Sequence, residues 1–141
     1  MCARYLLSNS YVFEADLILS PGLLKRYHYT SDFLATHQDR CDDWCFKANK
    51  DGFITDEMLG SFDAWRNCGV SFWNEADGKM LAEHLKQAYE APGGKELYWE
   101  QVPLHVYRGS YNVAIVPCSE QDVVEIDTYK ELKNADETYA L

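Results

Sequence analysis

Two pairs of carboxylates stand where a metal or a phosphate chemistry would want them. Glu14 and Asp16 lie two positions apart in the apolar, strand-forming run NSYVFEADLIL (residues 9–19), and Glu125 and Asp127 repeat the spacing in VVEIDT (123–128). In an extended chain alternate side chains share a face, so Val12, Glu14, Asp16 and Ile18 are expected to point one way. Carboxylates are disfavoured in strands and costly to bury unpaired, so this face is either wet or met by positive charge. VVEIDT passes directly into a helix N-terminus, a place that faces the mouth of an α/β sheet. Asp16 and Asp127, from two distant strand ends, have the hard oxygen donors that hold one Mg²⁺ together with substrate phosphates. The competing reading is that Asp127 favours the positive helix end and Asp16 is solvated.

Aromatic residues form the second constellation. Trp44, Trp73 and Trp99 sit in DDWCF, SFWNE and LYWEQ, each with a carboxylate within two residues. Aromatic faces beside acids suit a quaternary ammonium, through cation–π attraction and net charge. Against this, tryptophans most often fill cores. A zinc site at His37, Cys41 and Cys45 lacks C-x-x-C spacing and a fourth ligand, and Ser71 or a cysteine with His84 or His105 lacks a nucleophile motif such as G-x-S-x-G. Lys79, Lys86 and Lys95 read as solvated helix and loop charges.

The elements that must carry these residues alternate between strand and helix patterns, which indicates an α/β domain. After the opening strand, Ser20-Pro21 marks the start of a short helix. Strands are expected near 32–37 and 43–48, and NKDG (49–52) predicts a hairpin from 43–48 into 53–58. CGVSFW (68–73) is an apolar strand. Asn74 caps a helix in which Leu81, Leu85, Ala88 and Tyr89 recur at helical spacing until Pro92, Gly93 and Gly94. YNVAIV and DVVEI are strands, and Thr128 with Glu131 makes a capping box for a last helix.

With 141 residues, 47% of them hydrophobic, the chain has the size of one domain with a core, over residues 1–141. A formal charge of −10 argues against neutralising nucleic-acid phosphates, so no polynucleotide partner is expected. No run reaches the length of a membrane span and the first residues lack a signal-peptide pattern, so a cytoplasmic protein is expected. Five scattered cysteines imply reduced thiols.

NSYVFEADLIL, GVSFW, ELYWE and VVEIDT, in this order and spacing, resemble the second half of the bacterial phosphocholine cytidylyltransferases of the LicC type, in the sugar-nucleotidyltransferase-like superfamily. The resemblance covers nearly the whole chain. It implies a Rossmann-like mixed sheet with flanking helices, and transfer of a cytidylyl group from CTP to phosphocholine with Mg²⁺, giving CDP-choline. Asp16 and Asp127 match the family's metal-binding, catalytic aspartates. Trp44, Trp73 and Tyr98 match aromatic positions that enclose the choline head, with Glu100 beside them.

The family's Gly-rich L-A-A-G-x-G-x-R loop, which holds the nucleotide phosphates, has no counterpart here: the eight glycines never occur as G-x-G. MCARYLL falls where the family has the helix leading into the EAD strand. The chain is therefore expected to be an N-terminally truncated nucleotidyltransferase, inactive alone and engaging CTP only if a nucleotide-binding half is supplied. A sheet lacking its first strands would expose an edge and an apolar face, which predicts a homo-oligomer. The alternatives are a non-catalytic phosphocholine or amine-binding module, or an oligomeric structural remnant.

Overall fold

A computed structural model describes residues 2–139. Its centre is one long hairpin, β3 (Ser31–Ala48) with β4 (Ile54–Trp73). The turn between them is the NKDG signal. Asn49 Oδ1 accepts hydrogen bonds from the backbone N–H groups of Asp51 and Phe53, and Gly52 takes a φ of 83° that suits a residue without Cβ. The two strands expected at 32–37 and 43–48 are thus one continuous but irregular strand.

The ribbon is bent rather than flat. Cys45 opposes both Met58 and Arg66, and Phe46 opposes both Glu57 and Trp65, so the far part of the hairpin curls back onto β4 itself. Gly60 (φ 74°) and Asp63 (φ 47°) sit in the bend in left-handed conformation, as expected where an extra residue or a sharp twist breaks a ladder.

β1 (Ser10–Phe13) adds antiparallel to β4, and β5 (Val113–Pro117) adds parallel to β3, giving a four-stranded mixed sheet in the order β1-β4-β3-β5. Only the β3–β5 pair is parallel. A tight turn can join only antiparallel neighbours, whereas a parallel pair needs a long crossover, here residues 49–112 with the hairpin's return strand and α1 (Glu75–Glu90). Asn74 caps α1 by accepting from the Asp77 N–H at 2.9 Å. Gly78 lets this helix pass close to the short 3₁₀ turn Arg4–Leu6: a Cβ there would lie 2.4 Å from the Leu7 carbonyl oxygen. The MCARYLL segment is therefore a turn packed on α1, with Met1 outside the described residues.

Both faces of the sheet are covered. On one, Phe33, Phe46 and Trp73 pack with Leu81 of α1, Leu104 and Tyr111. On the other, Leu34, Cys68 and Val70 pack under a two-stranded antiparallel sheet, β2 (Leu17–Leu19) with β6 (Val123–Glu125). A seven-residue helix, α2 (Tyr129–Ala135), follows β6 behind the predicted Thr128–Glu131 capping box.

The strands expected at 53–58 and 68–73 are likewise one, β4, and two further expectations differ from the structure. The run 9–19 is not a single strand: β1 ends at Phe13, the chain turns through Glu14–Asp16, and β2 restarts in another sheet, so the two acids do not share a face with Val12 and Ile18. The Glu14 N–H is drawn to the Gly69 carbonyl at 3.1 Å, which ends the first ladder. The segment after Ser20 forms no helix. It turns at Pro21–Gly22 and is held open by a buried knot: His28 Nδ1 lies 2.6 Å from Asp32, its Nε2 lies 2.6 Å from the Tyr11 hydroxyl, and its ring stacks on Phe72. A helix this short is marginal by itself, so the tertiary contacts decide. Among the described residues no helix is long and apolar enough to cross a membrane.

Candidate active site

The β2–β6 pairing brings the first constellation together. Leu17 stands opposite Glu125, and the Ile126 N–H donates to the Asp16 carbonyl at 2.9 Å. Because the strands run antiparallel, the residue before β2 and the residues after β6 emerge at the same end. Carboxylate oxygens of Asp16, Glu125 and Asp127 consequently all lie within 4.8 Å of one another, and all three residues are exposed. Asp127 is held from behind, since its N–H and that of Thr128 both donate to Glu131 Oε2, at 3.0 and 2.8 Å. Three hard oxygen donors on a solvent-facing end, with room for water and phosphate oxygens, fit Mg²⁺.

Beside the trio opens a cavity of about 150 Å³, and Glu125 belongs to both. Its wall includes Glu14, Asp43, Trp44, Arg66, Gly69 and Glu100. A smaller cavity shares Glu14, Gly69 and Glu100 and adds Trp99. The curl of the hairpin makes the first wall: Cys45 opposite Arg66 sets Asp43 and Trp44 against the last third of β4. Gly69, at φ 69°, supplies the floor under Glu14; a Cβ at this position would come within 2.8 Å of Glu14 Oε2.

The charge in this bowl is concentrated and one-signed. Burial, and then the carboxylates of Asp16, Glu100, Asp43 and Asp127, raise the Glu14 pKa above the usual range. Glu125 is raised by burial and then by Asp127, Glu14, Asp16 and Asp43, and Glu100 chiefly by burial. Behind Glu100, the Glu57 side chain is fully buried with neither oxygen hydrogen-bonded, His105 Nε2 being 3.4 Å away. Burial, then Glu100 and Asp56, raise its pKa to about 7. Such a site favours cations. The one guanidinium on the wall, Arg66, has no ion pair among the described residues.

The aromatic residues divide. Trp44 and Tyr98 meet edge-to-face at 5.9 Å, with Trp44 on the cavity wall and Tyr98 exposed. Trp73 does not join them. It is 0% exposed, its indole N–H donates to Ser71 Oγ at 3.1 Å, and it packs edge-on to Phe33, Trp99 and Tyr111. The expectation that Trp73 encloses a ligand is therefore replaced by a core role. Alternation at the end of β4 points its ring to the α1 face, and Trp99 is the ring that lies between it and the smaller cavity. Asp43 and Arg66 escaped the sequence reading. Asp43 sits in the quoted DDWCF motif, but nothing local to AWRN marked Arg66, because only the curl of β3 over β4 brings it to the wall.

A 2-aminoethylphosphonate cytidylyltransferase from Lancefieldella rimae is 26% identical over 132 residues, taking in 92% of this chain and 53% of that protein. A choline-phosphate cytidylyltransferase from Streptococcus pneumoniae is 22% identical over 132 residues, 93% of this chain and 57% of that protein. The chain is a distant homologue of the LicC-type cytidylyltransferases. It spans about half the length of these curated relatives. No family model matches the chain. The solved CTP:phosphocholine cytidylyltransferase (LicC) of S. pneumoniae superposes with a TM-score of 0.80 over 97% of this chain and 60% of that one, at 20% identity. A nucleoside-diphosphate-sugar pyrophosphorylase from Vibrio cholerae gives a TM-score of 0.64 over 88% of this chain and 54% of that one, at 14% identity. At these identities the structural likeness concerns the fold, which is shared with part of the nucleotidyltransferase architecture.

Proposed function

We propose that these residues are the acceptor-binding and metal-binding part of a cytidylyltransferase that couples CTP to a small zwitterion with an ammonium at one end and a phosphate or phosphonate at the other. The observation that carries this reading is the junction at Glu125, where a three-carboxylate cluster meets a cavity walled by an indole, a guanidinium and further carboxylates. Asp16 and Asp127, with Glu125, would hold Mg²⁺, which when bound neutralises phosphate oxygens and so eases attack of one anion on another.

This chain's own groups do the positioning. Arg66 offers planar N–H donors to the phosphate or phosphonate end. Trp44, with Tyr98 edge-on behind it, offers a π face to the ammonium end, and Glu14, Asp43 and Glu100 supply the compensating charge. Cytidylyl transfer requires an acceptor oxygen aimed at the α-phosphorus of CTP in line with the departing pyrophosphate, and these groups would fix the acceptor's side of that alignment, a large part of phosphoryl-transfer catalysis. A trimethylammonium wants several ring faces, while a primary ammonium wants oxygen acceptors for three N–H donors. With Trp73 in the core, the main cavity wall has one indole against several carboxylates, which favours 2-aminoethylphosphonate over phosphocholine.

CTP binding needs a phosphate-cradling loop that these 141 residues do not contain, so the chain alone is expected to bind acceptor without forming a CDP-linked product. The test is a tryptophan-fluorescence titration in Mg²⁺ with 2-aminoethylphosphonate, phosphocholine and CTP. Saturable quenching by the first two, tighter for the primary amine and lost in Trp44→Ala, supports the reading. No response to either zwitterion, or CDP-choline formation by the chain alone that Asp16→Ala abolishes, would sink it in one or other of its parts.

A further inference from the structure

Outside the acceptor chemistry, the structure holds two thiols face to face. Cys68 lies in β4 and Cys118 just after β5, fifty residues apart in sequence, yet their sulfurs are 3.6 Å apart. Thr36 Oγ1 sits between them, 3.5 Å from Cys68 Sγ and 3.6 Å from Cys118 Sγ, and is itself anchored by donating to the Cys118 carbonyl at 3.1 Å. Cys68 is buried in the fold but lines the main cavity, and Cys118 is half-buried. We propose that Cys68 and Cys118 are a redox pair, a site of oxidative modification that closes to a reversible disulfide when a hydroperoxide enters the cavity.

The other cysteines lack this access to the cavity. Cys41 and Cys45 also meet side chain to side chain, and burial followed by Cys41 pushes the Cys45 thiol up to about 11. Both are buried, however, neither is on the cavity wall, and they donate to the carbonyls of Asp43 and Met58; Cys2 is exposed near the start of the chain. For Cys68 and Cys118, closing from 3.6 Å to the roughly 2 Å of an S–S bond needs a side-chain rotation and a small approach of two neighbouring segments. The environment also divides the labour. Hydrogen bonding with Cys118 and Thr36, and the nearby Arg66 charge, hold the Cys68 thiol below its usual pKa against the opposing effect of burial. The same contact and burial push Cys118 up. Cys68 is thus the nucleophile and Cys118 the resolving thiol.

The chemistry balances with the hydroperoxide as sole oxidant. The Cys68 thiolate attacks the terminal peroxide oxygen, the O–O bond breaks, and the departing alkoxide or hydroxide takes up a proton, leaving Cys68 as a sulfenic acid. The Cys118 sulfur then attacks the Cys68 sulfur, the S–O bond breaks, and the released hydroxide takes the Cys118 proton to leave as water. Two thiols and one hydroperoxide give one disulfide, one alcohol or water, and one water. The bond would tie β4, where Asn67, Cys68 and Gly69 form cavity wall, to the Ser119–Asp122 turn that leads into β6 and Glu125.

The experiment is peroxide treatment of the native 141-residue chain, followed by alkylation of free thiols, tryptic digestion and mass spectrometry. The expected product joins the tryptic fragments 67–79 and 109–130, disappears on reduction with a dithiol, and consumes two of the five thiols. In Cys118→Ser, Cys68 should stop at the sulfenic acid and be trapped by a cyclic dione. Wild-type chain that keeps both thiols while Cys2 oxidises, or that forms a Cys41–Cys45 bond instead, overturns the proposal. So does trapping at Cys118 rather than Cys68 when each is left without its partner. These readouts are independent of acceptor binding, so they stand or fall separately from the cytidylyltransferase reading.

Discussion

The carboxylate cluster and the aromatic wall meet at Glu125 but are assembled differently. Asp16, Glu125 and Asp127 are brought together by two three-residue strands whose antiparallel register fixes which ends coincide, and a capping box steadies one of them. All three stay in water. The wall depends on a hairpin of about forty residues curling back on itself, on a left-handed glycine, and on a core packed behind it. The first region is cheap in structure and should tolerate substitution; the second is coupled to folding. Function and stability therefore ought to separate at the carboxylate cluster and at side chains that only face the cavity, and to move together for the core residues that hold the wall in place.

Trp73→Ala is the harshest way to test that contrast. Removing a fully buried indole from the main core should cost about 3–5 kcal/mol in urea denaturation and disturb the wall with it. Trp44→Ala, on the cavity side, should stay within about 1 kcal/mol of wild type while losing acceptor-induced quenching. Equal destabilisation by the two would erase the distinction drawn between them.

Glu57 probes the same core by pH. Its pKa is about 7 in the fold against 4.5 for an ordinary glutamate. Between those values the folded state binds more protons than the unfolded chain, so stability is full below about pH 4.5 and falls as pH rises towards 7, by at most about 3 kcal/mol. The raised carboxyls of Glu14, Asp32, Glu100 and Glu125 add with the same sign. Urea midpoints at about pH 5 and about pH 7.5 should differ in wild type and differ less in Glu57→Gln, the remainder coming from the other raised carboxyls. An unchanged slope in the variant would assign the effect to the other acids.

At the exposed end, Asp127→Asn should weaken Mg²⁺ or Mn²⁺ binding roughly 10–100-fold by calorimetry or manganese resonance, with a change in stability of no more than about 0.5 kcal/mol. A large loss of stability would mean that the cluster is structural after all. The smallest effect is expected from Thr128→Ala: loss of the cap should cost about 1 kcal/mol and loosen metal binding only slightly, through the backbone of Asp127.

Local signals carried much of the fold because each acts over a few residues. The NKDG turn, the Asn74 cap, the Leu81–Leu85–Ala88 stripe and the Thr128–Glu131 box all appear where their chemistry demanded. The helix expected after Ser20 failed for the complementary reason: nothing in PGLLKRYH reveals that His28 will be buried against Phe72 and bonded to Asp32. Likewise the apolar run through Glu14 and Asp16 gave no sign that it would change sheets at the two acids.

Strand-end spacing and aromatic motifs singled out Asp16, Asp127 and Trp44 as candidates, Tyr98 and Glu100 came only with the family resemblance, and the net charge of −10 argued against a polynucleotide partner. The first three follow from short motifs, whose physics is local. Long-range packing, by contrast, joins Glu125 to the two aspartates, puts Trp73 in the core while Arg66 and Asp43 face the cavity, and brings Cys68 to Cys118. Each of these depends on strand register and on the curl of the long hairpin, and a single step of register would turn every one of those side chains to the opposite face.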